Sequence, residues 1–220
     1  MPSKKTSAPK PAATATKAKT AATANKAKSA GKKMPNFLGL PDKNSSAGNS
    51  KVFIVPVPYE ATTCYGKGTK NGPKAILEAS TELERFDDEL WAEPHKIGIH
   101  TTEAVSVPKV IRTTEKPFQK ITDAIKPYIE TDKFPIILGG EHSLTLGAVR
   151  ACAERYKDLS ILQVDAHADL RPEYQDNPYS HASVSYQLYK CLPQPLITQV
   201  GIRNISREET EWLEKEHPRV

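Results

Sequence analysis

The sequence predicts an α/β fold in three layers, a parallel sheet with helices on both faces. Three observations predict it. Short apolar runs rich in β-branched residues recur between residues 52 and 201, segments with helical spacing separate them, and clusters of polar residues stand directly behind the runs. The composition agrees with this. A chain of 220 residues, 38% hydrophobic and 26% charged, can close one core without a disulfide or metal staple. No stretch approaches the roughly 18 apolar residues that a membrane-spanning helix needs. Cys64, Cys152 and Cys191 are far apart and odd in number, which excludes a disulfide scaffold or a paired-cysteine zinc ribbon and suits a reducing compartment.

Along the chain, residues 1–35 are expected to be a disordered Lys/Ala-rich tail and 36–220 the folded portion. Residues 1–33 hold nine lysines, no acidic residue and no aromatic or branched aliphatic side chain, too little apolar surface to offset the entropy of ordering. With those nine set aside from the 31 basic side chains, 22 face 26 acidic ones in the body. The net charge of +5 and the pI near 9.0 therefore belong to the tail. A mildly acidic body gives little support to nucleic-acid binding. ATKAKTA at 15–21 recurs as ANKAKSA at 24–30, a low-complexity word rather than a solenoid repeat. The tail admits weak, non-specific, salt-sensitive contact with nucleic acid. Organellar targeting is a second option, although transit peptides are rich in Arg and this tail has none. Without an apolar h-region there is no secretory signal, and the cytoplasm is the expected compartment.

A linker rich in Gly, Pro, Asn and Ser is read over about 35–50, followed by Val52–Val57 as a buried strand. Gly72-Pro73 opens a helix, with Pro in the first turn that tolerates it and Ile76, Leu77, Leu83 and Phe86 as its apolar face. Lys96–Ile99 reads as a weak second strand. Phe118, Ile121, Ile125 and Ile129 recur at helical spacing, with Pro127 as a kink. Pro135–Leu138 is the third strand, Ser143 to about Tyr156 a helix, Ser160–Asp165 the fourth strand and Leu196–Gly201 the fifth. Ser206 with Glu209 forms a capping box that opens the last helix. In such sheets ligands sit beyond the carboxyl ends of the strands, so chemistry is expected just after residues 138, 165 and 201.

Two of those three places hold unusual clusters. Gly139-Gly140-Glu141-His142-Ser143 follows the third strand, its paired glycines allowing a tight turn and a close approach. Asp165-Ala166-His167-Ala168-Asp169 follows the fourth. In an extended segment the period of two aims Asp165, His167 and Asp169 to one side. Three such groups converging at a strand end call for a positive partner, and a His/carboxylate set without Cys suits Mn²⁺, Fe²⁺, Zn²⁺ or Mg²⁺. His142, arriving from the neighbouring strand end, would make a fourth ligand. The bland alternative is that Asp165 caps the next turn. His95, His100 and His217 read as structural histidines, and His181, on the sequence alone, as a surface histidine opening a helix.

GGEHS at 139–143 followed by QVDAHADLR at 163–171 resembles the ureohydrolase family of arginases, agmatinases and related guanidine hydrolases. VPVPYEATTCYGKGTKNGPKAILEAS at 55–80, YSHAS at 179–183 and VGIR at 200–203 agree, and the resemblance spans about 36–220. It implies an arginase-like fold and a site with two Mn²⁺ ions. His142 is similar to the histidine that binds one manganese, Asp165 to the carboxylate bridging both, His167 to the histidine on the second ion and Asp169 to the aspartate on the first. His181 resembles the histidine that moves a proton near the departing amine. The implied reaction is attack of a manganese-activated hydroxide on a guanidinium carbon, releasing urea. Arginases carry an asparagine where this chain has Arg171, and LRPEYQDNPYSHAS looks more like bacterial agmatinases, so the substrate is expected to be agmatine and the product putrescine, a polyamine. Arginase or guanidino-acid hydrolase activity is the alternative within the family. A homo-oligomer is expected of the full-length form.

One departure from the family pattern bears on this. Its third motif, SxDxDxxDP, does not occur, and no DxD follows Asp169 before Val220. That motif brings two further aspartate ligands, so the chain is expected to carry half of a dinuclear site and to be a fragment or a truncated gene product. A catalytically dead derivative whose basic tail binds nucleic acid is the competing expectation.

Overall fold

The structure is a computed structural model describing residues 34–108, 114–192 and 196–216. The tail read from residues 1–33, and His217, lie outside them. Among the described residues, five parallel strands alternate with helices: β1 Val52–Pro56, β2 Ile99–Thr101, β3 Phe134–Leu138, β4 Ser160–Val164 and β5 Leu196–Val200. They form two hydrogen-bonded sheets, one ordered β2-β1-β3 and one pairing β4 with β5. Val52 pairs with Ile99 and Phe134, while Ser160 pairs with Leu196. The helices are α1 Asp42–Ser45, α2 Gly72–Ala79, α3 Lys116–Glu130, α4 Thr145–Arg155, α5 Val184–Cys191 and α6 Arg207–Glu216. None of the described helices is long and apolar enough to cross a membrane.

Strand β1 makes the layering plain. Val55 on one face is buried with Phe118, Ile121, Ile125 and Ile129 of α3, and Leu146 and Leu188 bring α4 and α5 into the same core. Ile54 on the other face packs with Leu77 of α2. Burying one such aliphatic side chain contributes about 1.5–3 kcal/mol. Among the described residues, only one face of β4 and β5 is covered. Ile161 and Ile197 join the α4–α5 core, whereas Leu162, Val164, Leu196 and Val200 on the other face are exposed.

Three local expectations change. The stretch read as a linker is built from two 3₁₀ turns and α1, because Phe37, Leu38 and Leu40 among its turn residues pack over Ile54, Leu77 and Ile99. The second strand starts later than expected. Pro94–Ile97 is a 3₁₀ turn, and Gly98 at φ 83° lies so near Asn49 that a Cβ would fall 2.3 Å from its carbonyl oxygen. Leu83 and Phe86 lie beyond the end of α2 and are exposed, Phe86 standing edge-on to Trp91. Pro127 sits inside α3 without ending it. The capping box is as expected: Glu209 Oε2 accepts from the Ser206 N–H, and the Glu209 N–H donates to Ser206 Oγ.

Candidate metal centre

The turn after β3 is shaped by contact. Gly140 lies at φ 23°, and a Cβ there would fall 2.1 Å from the Tyr59 carbonyl oxygen, a space only glycine leaves open. This turn aims Glu141 inward and His142 toward the strand ends. Glu141 is buried, and its Oε2 accepts the Ala61 and Thr62 N–H groups at 2.5 and 2.7 Å. Its Oε1 accepts the Ser143 and Thr62 hydroxyls at 2.5 and 2.7 Å. Burial, and after it the charge of Glu141, pushes the Tyr59 phenol up from its ordinary value.

The turn after β4 is braced from below. The Asp165 N–H donates to Val200 O, the Arg203 and Asn204 N–H groups to Ala166 O, and Gln199 Nε2 to Ala168 O. Glu209, already engaged in the capping box, receives the Leu170 N–H on Oε1 at 2.9 Å. One buried carboxylate thus ties the start of α6 to the end of the polar turn.

Within this frame one nitrogen of His142 and one oxygen each of Asp165 and Asp169 lie within 4.8 Å of one another. His142 Nδ1 stands 2.7 Å from Asp169 Oδ2 and 3.6 Å from Asp165 Oδ2. Burial pushes the Asp165 carboxyl up, but the His167 N–H and the His142 imidazole outweigh it and hold the group below its usual range. Two carboxylates and an imidazole, with no sulfur in the group, fit a hard or borderline divalent cation such as Mn²⁺ or Mg²⁺.

The approach of these groups does not come from an extended segment, as the alternation suggested. Asp169 adopts a left-handed φ of 52°, a conformation that Asp tolerates better than most residues. His167 stands outside the triplet. Its ring is largely exposed, with Nδ1 3.3 Å from Asp165 Oδ1. It nevertheless lines the same pocket, of about 320 Å³, as His142, Asp165, Asp169 and His181.

His181 enters from the 3₁₀ turn before α5. Its Nδ1 lies 3.1 Å from Thr62 Oγ1, its Nε2 3.4 Å from Cys64 Sγ, and the Tyr174 ring stands edge-on to it. Thr62, Cys64 and Tyr174 carry no local signal in the sequence. Thr62 and His181 are 119 residues apart, and only the fold brings them together. Of the histidines read as structural, His100 donates from Nδ1 to Ser45 O at 2.8 Å, and His95 is buried beside Glu93.

Comparison with known proteins gives this geometry its context. The family model described as "Arginase: Arginase family" matches residues 50–220. The chain belongs to the arginase family. It is 40% identical over 174 residues to the N(1)-aminopropylagmatine ureohydrolase of Thermus thermophilus, covering 79% of this chain and 58% of that protein. It is 31% identical over 166 residues to the agmatinase of Bacillus cereus, covering 76% and 57%. The agmatine ureohydrolase structure from Thermoplasma volcanium superposes with a TM-score of 0.72 at 30% identity, over 81% of this chain and 58% of that one. The chain therefore spans somewhat under three fifths of the length of these relatives.

Proposed function

We propose that these residues belong to a metal-dependent guanidine hydrolase that releases urea from agmatine or its N(1)-aminopropyl derivative. The observation that carries the proposal is the His142–Asp165–Asp169 group, set beside His181 in one pocket of an arginase-family chain. A bound divalent cation supplies Lewis-acid activation of water at neutral pH. His142, Asp165 and Asp169 would hold one such ion, Mn²⁺ by the family resemblance, and His167 and Asp165 would face a second. His181 lines the same pocket, where its Nε2 would take up a proton and hand it on to the departing amine.

Substrate choice is supported by the two ureohydrolase relatives and by the state of Arg171. Its guanidinium lies over the Tyr174 ring at 5.1 Å and within 4.0 Å of Glu208 and Glu209. Its charge is therefore already engaged, rather than left free for the α-carboxylate of arginine. The test is urea release by the native protein loaded with Mn²⁺, with agmatine, N(1)-aminopropylagmatine and arginine offered in parallel. Turnover of either of the first two above arginine is expected. Preference for arginine, or no urea from any of the three, overturns the reading.

A further inference from the structure

We propose that Thr62 is a positioning residue which, held by buried Glu141, fixes His181 in the tautomer that carries its proton on Nδ1 and leaves Nε2 unprotonated toward the pocket. The inference rests on the proton-transfer role proposed for His181 and adds what sets that role.

The argument is a count of protons and lone pairs. Glu141 Oε2 meets two backbone N–H groups, which only donate. Its Oε1 meets the hydroxyls of Ser143 and Thr62. A carboxylate only accepts, so both hydroxyls donate to it. Thr62 has a single hydroxyl proton, and it is committed to Glu141. The Thr62 oxygen can then only accept. It does so from the His181 backbone N–H at 3.0 Å and faces the ring Nδ1 at 3.1 Å. A ring nitrogen against a pure acceptor carries the proton, and in a neutral imidazole the other nitrogen is then the bare one. Ser180 Oγ, farther from Nδ1 at 3.4 Å, accepts the Ala182 N–H with one lone pair and can accept from Nδ1 with the other, so the nearer Thr62 oxygen, which has no proton left to give, is the partner that decides the tautomer.

The consequence falls on Nε2. Its neighbour, 3.4 Å away, is the Cys64 thiol, a weak donor that an ammonium or amine of the substrate can displace. A histidine free to flip its proton would offer the pocket an N–H instead, and would spend part of its time unable to take up a proton there. The tautomer is set by Thr62 and Glu141, from the side away from the pocket.

The test is the ¹⁵N spectrum of histidine-labelled, metal-free native protein at a pH where the imidazole is neutral. The His181 signals are assigned among the six histidines with H181N. The wild type is expected to show a protonated Nδ1 and a bare Nε2. Thr62→Val should turn this into a mixture of tautomers, and Thr62→Ser should restore it. With Mn²⁺ and agmatine, T62V should lower kcat with KM unchanged, while T62S keeps both. A protonated Nε2 in the wild type, an unchanged tautomer in T62V, or a shifted tautomer with full kcat would each overturn the proposal. If T62V does not fold, the wild-type spectrum decides by itself. The spectra need neither metal nor substrate, so the tautomer can stand even where His181→Ala retains turnover, an outcome that would sink the catalytic reading alone.

Discussion

His181 shows how one side chain takes its chemistry from its surroundings. Its two ring nitrogens meet different groups, Thr62 on one side and Cys64 on the other, and neither is a carboxylate. His142, by contrast, stands directly against Asp169. The two imidazoles should therefore respond differently to removal. His181→Ala is expected to leave the Mn²⁺ content of the native protein unchanged while kcat falls roughly 10²–10⁴-fold, the usual worth of a general acid or base. Metal analysis after dialysis, paired with a urea assay, checks both halves. A drop in bound metal would make His181 a ligand.

At the scale of the element, the packing of α3 on α4 turns on Gly147. A Cβ there would fall 2.6 Å from the Phe118 carbonyl oxygen and 2.8 Å from Ile121 Cβ, and backbone cannot move aside cheaply. Gly147→Ala should cost about 1–3 kcal/mol, the range for overpacking a filled core, read from the urea midpoint. The junction of the 178–180 turn with the start of α3 is governed by charge. The Tyr179 hydroxyl donates to Glu115 Oε1 at 2.6 Å, and Arg150 Nη2 donates to the same oxygen at 3.2 Å. Burial and then this hydrogen bond push the Tyr179 phenol up to about 12 from its ordinary 10.0. The folded value lies above the unfolded one, so its contribution is complete below the ordinary value and is lost as pH rises toward the folded value. Unfolding midpoints of the wild type should fall across that alkaline window, and Tyr179→Phe should flatten the fall.

These elements also show what was legible in advance. Strands β1, β3, β4 and β5 stand out because apolar runs bounded by turn residues have few other uses, and the capping box because its two partners are three residues apart. The donors behind β3 and β4 were legible for the same local reason, since each cluster follows its strand directly. What stayed hidden depends on distant contacts. Leu40 and Phe37 look like loop residues until Leu77 is placed beneath them. The left-handed turn at Asp169 and the Glu141–Thr62–His181 chain have no signature in neighbouring residues.

For the whole molecule, the open face of β4 and β5 is the largest departure from an even three-layer design. Leu162 and Val164 are 68% and 77% exposed there, with Val200 beside them in register. Contiguous apolar surface of this kind favours association. Replacing Leu162 and Val164 together by Thr, a β-branched residue that suits a strand, should lower light scattering at a given concentration without lowering Tm.

The division into two sheets has a mechanical reading as well. Among the described residues β3 and β4 share no ladder, yet His142 stands behind one and Asp165 and Asp169 behind the other. An ion held by all three would be a clasp across a seam that no backbone hydrogen bonds close. At a hundredfold excess over its dissociation constant, a ligand that prefers the folded state stabilises it by about 2.7 kcal/mol. For a domain of this size that is worth roughly 2–4 °C of Tm per kcal/mol. Titrating Mn²⁺ into the protein should raise Tm by several degrees and slow amide exchange in β4 and β5. Asp169→Asn should abolish both effects while leaving β1, β2 and β3 as protected as before. The metal centre and the fastening of the two halves would then be one object, and chelation would loosen the architecture in the same stroke that would stop the proposed reaction.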